Sequence, residues 1–282
     1  DELYGRDSKF LDALNERRQA FVAEIPSDTR VWTREPKVIR RTPAKTGRGR
    51  PRNVPRTTRK PEACEVRNLI KYSAMFRKQS WQRYRIKDTE SGPEVWEVKW
   101  LRVWRKTESK LPSKQQTLIV CRNVRTGEVK YFLSNQVVGR GGVTLRWLLR
   151  VAFSRWSIEY CFRVAKEELG MDHFQVRGWR CIHRHYCLTA LSFLFCSRTR
   201  QRLDGDHTRG LTVEQVRRAV NAYLAHYHLP PDLRDEAFEK ELNHPRYHQE
   251  RNAQAKKSHT KTRVQFYHDL GIDVDTIKSC VA

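Results

Sequence analysis

The stretch Arg155-Trp156-Ser157-Ile158-Glu159-Tyr160-Cys161-Phe162-Arg163-Val164-Ala165-Lys166 decides how this chain is read. Arg155, Glu159 and Lys166 stand at i, i+4 and i+11. A helical step of about 100° per residue sets the three within about 40° of one another, on one stripe three turns long. Ile158, Phe162, Ala165 and Leu169 fall beside that stripe and are expected to face a core. The carboxylate then lies at the edge of the buried face between two cations. Placed there, it can hold a divalent cation while the flanking cations grip phosphates. A plain surface helix with an Arg155–Glu159 ion pair has the same spacing, so spacing alone leaves both readings open.

Composition narrows the partners. The 282 residues carry 56 Lys+Arg against 32 Asp+Glu, a net charge of +24, and nucleic acid is the leading counterion for such an excess. An anionic membrane surface comes second, but no apolar run approaches the ~20 residues that span a bilayer, and no membrane association is expected. Hydrophobic residues make up 38%, enough to build a core and to exclude a fully disordered chain. Seven cysteines, an odd number without a C-x-x-C pair, read as reduced thiols in a cytoplasm. The first residue is Asp1 rather than Met, which is read as a fragment or a processed product.

Five segments follow from the patterning. In residues 1–32, Leu3 and Tyr4 precede Gly5, read as a turn. Phe10, Leu11 and Leu14 then recur at helical spacing, and residues 20–25 read as a strand. Residues 33–62 form an arm, because 37–60 holds ten basic residues, no acid and three prolines, and cannot bury enough surface to fold alone. Residues 63–140 are a β-rich insertion. Trp96, Val98 and Trp100 alternate with Glu97 and Lys99, then the phase flips at Leu101 and Val103, read as a β-bulge. Residues 117–124 and 129–133 flank Arg125-Thr126-Gly127-Glu128 as a hairpin. Residues 141–200 carry core helices. Residues 201–282 hold a helix with a capping box at Thr212 and Gln215, then a polar, basic tail over 243–263 expected to be mobile.

The Arg155-x3-Glu159-x6-Lys166 helix resembles the signature helix of bacterial insertion-sequence transposases of the DDE class, which have an RNase H-like fold. Ala152 stands where that signature begins with Tyr. Asp1-Glu2-Leu3-Tyr4-Gly5 is similar to the flank of the family's second catalytic Asp. Gly170-Met171-Asp172-His173 and the stretch from Trp179-Arg180 to His185 are similar to the family's segment after the Glu. The resemblance covers residues 1–32 and 117–225. It implies an α/β fold: the C-terminal portion of an RNase H-like transposase core, interrupted by an antiparallel β insertion and followed by helices. It implies Asp1 and Glu159 as catalytic, metal-binding carboxylates, Arg155 and Lys166 as phosphate clamps, and Mg2+ or Mn2+ as the ion. The implied partner is double-stranded DNA, both transposon terminal repeats and target, with room for a homodimer in the DNA complex. The implied place is the bacterial cytoplasm, at the nucleoid when bound. The family's first catalytic Asp would precede residue 1, so this chain by itself is expected not to cut DNA.

Other signals are weighed beside these. Arg48-Gly49-Arg50-Pro51 resembles an AT-hook core, which lays arginines in a narrow minor groove. Plain phosphate contact by the arm explains the same residues. Cys181, His183, His185 and Cys187 lie on two opposed sides of a helix and cannot converge on zinc. Trp81, Trp96, Trp100 and Trp104 either stack on a base or fill the β module. Arg177, Arg180 and Arg184 are expected on the DNA face, and a solvated basic face has the same pattern. A non-catalytic DNA-binding remnant of a transposase is the alternative, and an RNA-binding protein is a third.

Overall fold

A computed structural model describes residues 2–40, 54–58, 60–89, 91–154, 156–203, 211–228 and 230–280. The chain divides into two units, residues 1–154 with 259–282, and residues 155–258. The fold is mixed α/β.

The first unit runs α1 (Glu2–Arg6), α2 (Ser8–Glu16), β1 (Val22–Glu24), β2 (Arg30–Trp32), β3 (Val38–Ile39), β4 (Arg56–Thr57), β5 (Cys64–Glu65), α3 (Val66–Tyr72), α4 (Ala74–Lys78), β6 (Gln82–Thr89), β7 (Gly92–Lys106), β8 (Pro112–Asn123), β9 (Val129–Ser134) and α5 (Leu145–Phe153). One sheet follows the order β1-β9-β8-β7-β2-β5, with β6 also on β7. Strands from residues 1–32 and from 63–140 therefore share one sheet. The expected hairpin is β8–β9, with Arg122 opposite Val129. Asn123 Oδ1 accepts the N–H groups of Arg125 and Thr126 and holds the turn.

The phase flip in β7 is not a bulge. Trp100 pairs with Ile119 and Leu101 with Leu118 in unbroken register, and the shift comes later, between Trp104 and Lys106. Both faces of the sheet are apolar, so alternation ceases to mark an inside and an outside. On one face Trp96, Val98, Ile119, Cys121 and Phe132 pack under Leu145, Leu148 and Leu149 of α5. On the other, Val103, Leu118, Val120 and Leu133 pack with Val66, Leu69 and Phe76 from α3 and α4. Three of the four candidate tryptophans are absorbed here. Trp96 is buried, Trp100 packs against the first face, and Trp81 packs against the second with Lys99 and Arg122 over its ring.

Gly5 lies inside α1 and is not a turn. A Cβ there would sit 1.8 Å from the Glu24 carbonyl oxygen, so only glycine lets α1 lie this close to β1. Gly5→Ala is expected to push α1 off the strand at a cost of about 1–3 kcal/mol. An unchanged urea midpoint would contradict this packing.

The flanks of the basic arm pair as a two-stranded ribbon, with Val38 opposite Thr57 and Ile39 opposite Arg56. Residues 41–53, with Arg48 and Arg50, lie outside the described residues.

The second unit holds α6 (Trp156–Leu169), α7 (Trp179–Leu203), α8 (Val213–His228) and the start of α9 (Pro231–Asp269). Val164, Cys196, Val213 and Val216 form its buried cluster, with Leu169, Phe193 and Val220 against it. The capping box is formed: Thr212 N–H donates to Gln215 Oε1 at 2.9 Å, and Gln215 N–H to Thr212 Oγ1 at 3.2 Å. The core-facing side of α6 differs from the expected one. Ala165 is buried and Leu169 packs, but Ile158 and Phe162 are 57% and 50% exposed and Val164 is buried instead. The α7–α8 cluster covers only the C-terminal half of α6.

The tail expected to be mobile is helical, since α9 runs through residues 243–263. That stretch is rich in Ala, Gln, Lys and Arg, all good helix formers, and the helix ends in a fixed anchor. Tyr267, Ile272 and Val274 pack with Val95 in the first unit. Arg263 donates to Thr89 Oγ1 and Gly92 O. β10 (Lys278–Ser279) then pairs in parallel with β6, and Cys280 closes into the α5-covered core. Burial pushes the Cys280 thiol up to about 11 and raises that of Cys121 beside it. All seven cysteines are free. Among the described residues no helix is long and apolar enough to cross a membrane.

Candidate nucleic-acid interface

Glu159 stands in the first turn of α6 and Lys166 in its last, both exposed and about two turns apart, so they share one side of the helix. Between them Arg163 lies over the Tyr160 ring at 5.2 Å. Glu168 receives Arg217 at 3.1 Å, an ion pair that ties α6 to α8. Asp1 and Arg155 lie outside the described residues, as do Arg48 and Arg50.

Gly170 ends α6 in the left-handed region, at φ +64°. A Cβ there would meet His173 Nδ1 at 3.0 Å, so the residue that turns the chain also admits the imidazole. Met171 N–H bonds back to Ala165 O, and the Gly170 carbonyl meets His185 Nε2 at 2.9 Å. Phe174 packs edge-on to Tyr186 and lies 5.7 Å from the His185 ring. The irregular segment after α6 is thereby pinned along the first turns of α7, and it delivers Arg177 and Arg180 to an exposed edge. Trp179 between them is 74% exposed, its ring 4.1 Å from His183.

Charge on this edge is one-signed. Residues 173–203 contain six arginines and no acid. Arg180, Arg184, Arg198 and Arg202 are exposed along α7. A row of guanidinium groups on a helix, with no ion pair among the described residues, is suited to phosphates, which it meets bidentately. Sequence reading put Arg177, Arg180 and Arg184 on the DNA face but not Trp179 and His183, because a tryptophan before a helix carries no sign of whether it is covered. Of the four residues read as opposed on a helix, His185 is engaged by Gly170 and Phe174.

Residues 1–93 match the family described as DDE superfamily endonuclease. That match, over a third of the chain, supports a DDE-class transposase. The match takes in α1 through α4 and β1 through β6 and ends before α6. The mixed sheet and the helices around it are consistent with an RNase H-like DDE domain. No curated protein matches the chain.

Nucleases of this superfamily generally work with divalent metal ions, which need several carboxylates converging on one point. Among the described residues no group of three or more His, Cys, Asp or Glu side chains could hold a metal ion. Glu159 is the predicted ligand that is described, and one carboxylate does not make the site. The described residues on their own therefore do not fit the metal.

Proposed function

We propose that this chain is a DNA-holding part of a DDE transposase that acts on transposon ends and target DNA. The observation that carries the reading is the row of exposed arginines on α7 and its preceding segment, without an acid from residue 173 to 203, in a chain whose first third matches DDE endonucleases. Arg177, Arg180 and Lys166 contact phosphates from the second unit. Arg155, Arg48 and Arg50 add to them from segments outside the described residues. The arm over residues 33–62 is read as a further DNA contact and the β-rich region over 63–140 as the insertion. Glu159, with Asp1, contributes to a carboxylate set for Mg2+ or Mn2+ in the working enzyme.

Two outcomes test this. Duplex DNA is expected to displace structured RNA from the chain in a competition assay. Supercoiled plasmid incubated with the purified chain and Mg2+ is expected to stay intact, because among the described residues no group of carboxylates converges to hold the metal. Preferential retention of RNA would overturn the DNA reading. Robust Mg2+-dependent nicking would overturn the view that this chain holds DNA without cutting it.

A further inference from the structure

The first unit contains a cleft of about 830 Å³, separate from the arginine row of the second unit. It gathers Arg18 after α2, Arg40 after β3, Lys114 in β8 and Arg140 after β9, residues far apart in sequence. All four side chains are exposed, and among the described residues none has an ion-pair partner. Glu35 is the one acid on the wall, so the cleft carries a net positive charge. Trp104, half covered in β7, forms an apolar part of the same wall.

The cleft is built rather than incidental. Arg18 is held in the left-handed region at φ +56°, a conformation that a residue with a side chain rarely adopts. Asn135 enforces it from across the wall. Its Nδ2 donates to Asn15 Oδ1 at 3.0 Å and to Gln19 O at 2.8 Å, and its Oδ1 accepts Phe21 N–H. On the opposite wall Arg102 donates to Val138 O and fixes the turn that bears Arg140. Backbone strain of this kind persists only where the surroundings over-determine it, and it gathers at binding sites. Gln115 also lines the cleft, and its Oε1 is buried with no hydrogen-bond partner. A buried acceptor left unmet is costly, and a donor reaching it from the cleft would relieve that cost.

We propose that this cleft seats a DNA strand, its phosphates on Arg18, Arg40, Lys114 and Arg140, with a base amino group meeting Gln115 beside Trp104. The proposal rests on the DNA reading above and adds a contact surface in the first unit to the arginine row in the second. A strand supplies both the anionic charge that the cations lack and the N–H donor that the orphaned amide lacks.

The test is DNA affinity as a function of salt. Each phosphate contact removed lowers the slope of log K against log salt by about 0.9 on duplex DNA. The triple variant Arg18→Gln, Lys114→Gln, Arg140→Gln is expected to lose about 2–3 from that slope. Its three positions are exposed, so its melting temperature is expected to match the parent chain. Lys130→Gln is the control, because Lys130 already faces Glu24 and Glu128. Its slope should stay at the parent value. An unchanged slope in the triple variant, or an equal fall in the control, overturns the cleft while leaving DNA binding in place. A parent chain that binds no duplex overturns the DNA reading itself, and the cleft proposal with it.

Discussion

Asp12→Ala is expected to destabilise the chain by about 3–5 kcal/mol, the cost of leaving a buried charge without its partner. The Arg105 side chain is 4% exposed. Its two terminal nitrogens donate to Asp12 Oδ1 and Ser8 Oγ, joining β7 to α2. Burial lowers the Arg105 pKa and Asp12 opposes the shift, yet a guanidinium does not discharge in a protein. Without Asp12 the charge has nowhere to go. Arg105→Met should cost much less, because the Asp12 left behind is partly exposed and can hydrate. Urea denaturation of both variants checks this. A loss from Asp12→Ala no larger than that from Arg105→Met would show that the pair does not brace α2.

Tyr267→Ala is expected to cost a further 3–5 kcal/mol or so, the range for emptying a large aromatic site in a core. Tyr267 is 1% exposed and lies with Val95, Ile272 and Val274, far from all of them but two in sequence. Its hydroxyl accepts the Val95 N–H at 3.2 Å. Tyr267→Phe keeps the ring and strands that buried N–H, so it should lose only about 1–3 kcal/mol. If both variants melt like the parent chain, the C-terminal residues are not an integral part of the first unit.

What could be read from sequence was local. The capping box at Thr212 and Gln215 and the β8–β9 hairpin each depend on residues within a few positions, and both form as expected. Three features were misread for a shared reason: the deciding neighbour is distant. Gly5 looked like a turn because Glu24, whose carbonyl excludes a Cβ, lies nineteen residues on. Leu101 looked like a bulge because a strand buried on both faces has no polar phase to keep. The basic tail looked mobile because Tyr267 and Arg263 find their partners on β6 and β7, over 170 residues earlier. Of the candidate site, Arg177 and Arg180 were legible as a cluster of charge, and the Arg18–Lys114–Arg140 cleft was not, because four separate segments build it.

The most direct test of the account is equilibrium binding of the full chain to duplex DNA across a salt series. The uncompensated arginines of α7 predict tight, sequence-tolerant binding at low salt. Neutralising 6–10 phosphates would cost about 10³–10⁵ in affinity between 50 and 200 mM salt. Absence of binding at 50 mM salt, or an affinity indifferent to salt over that range, would contradict it.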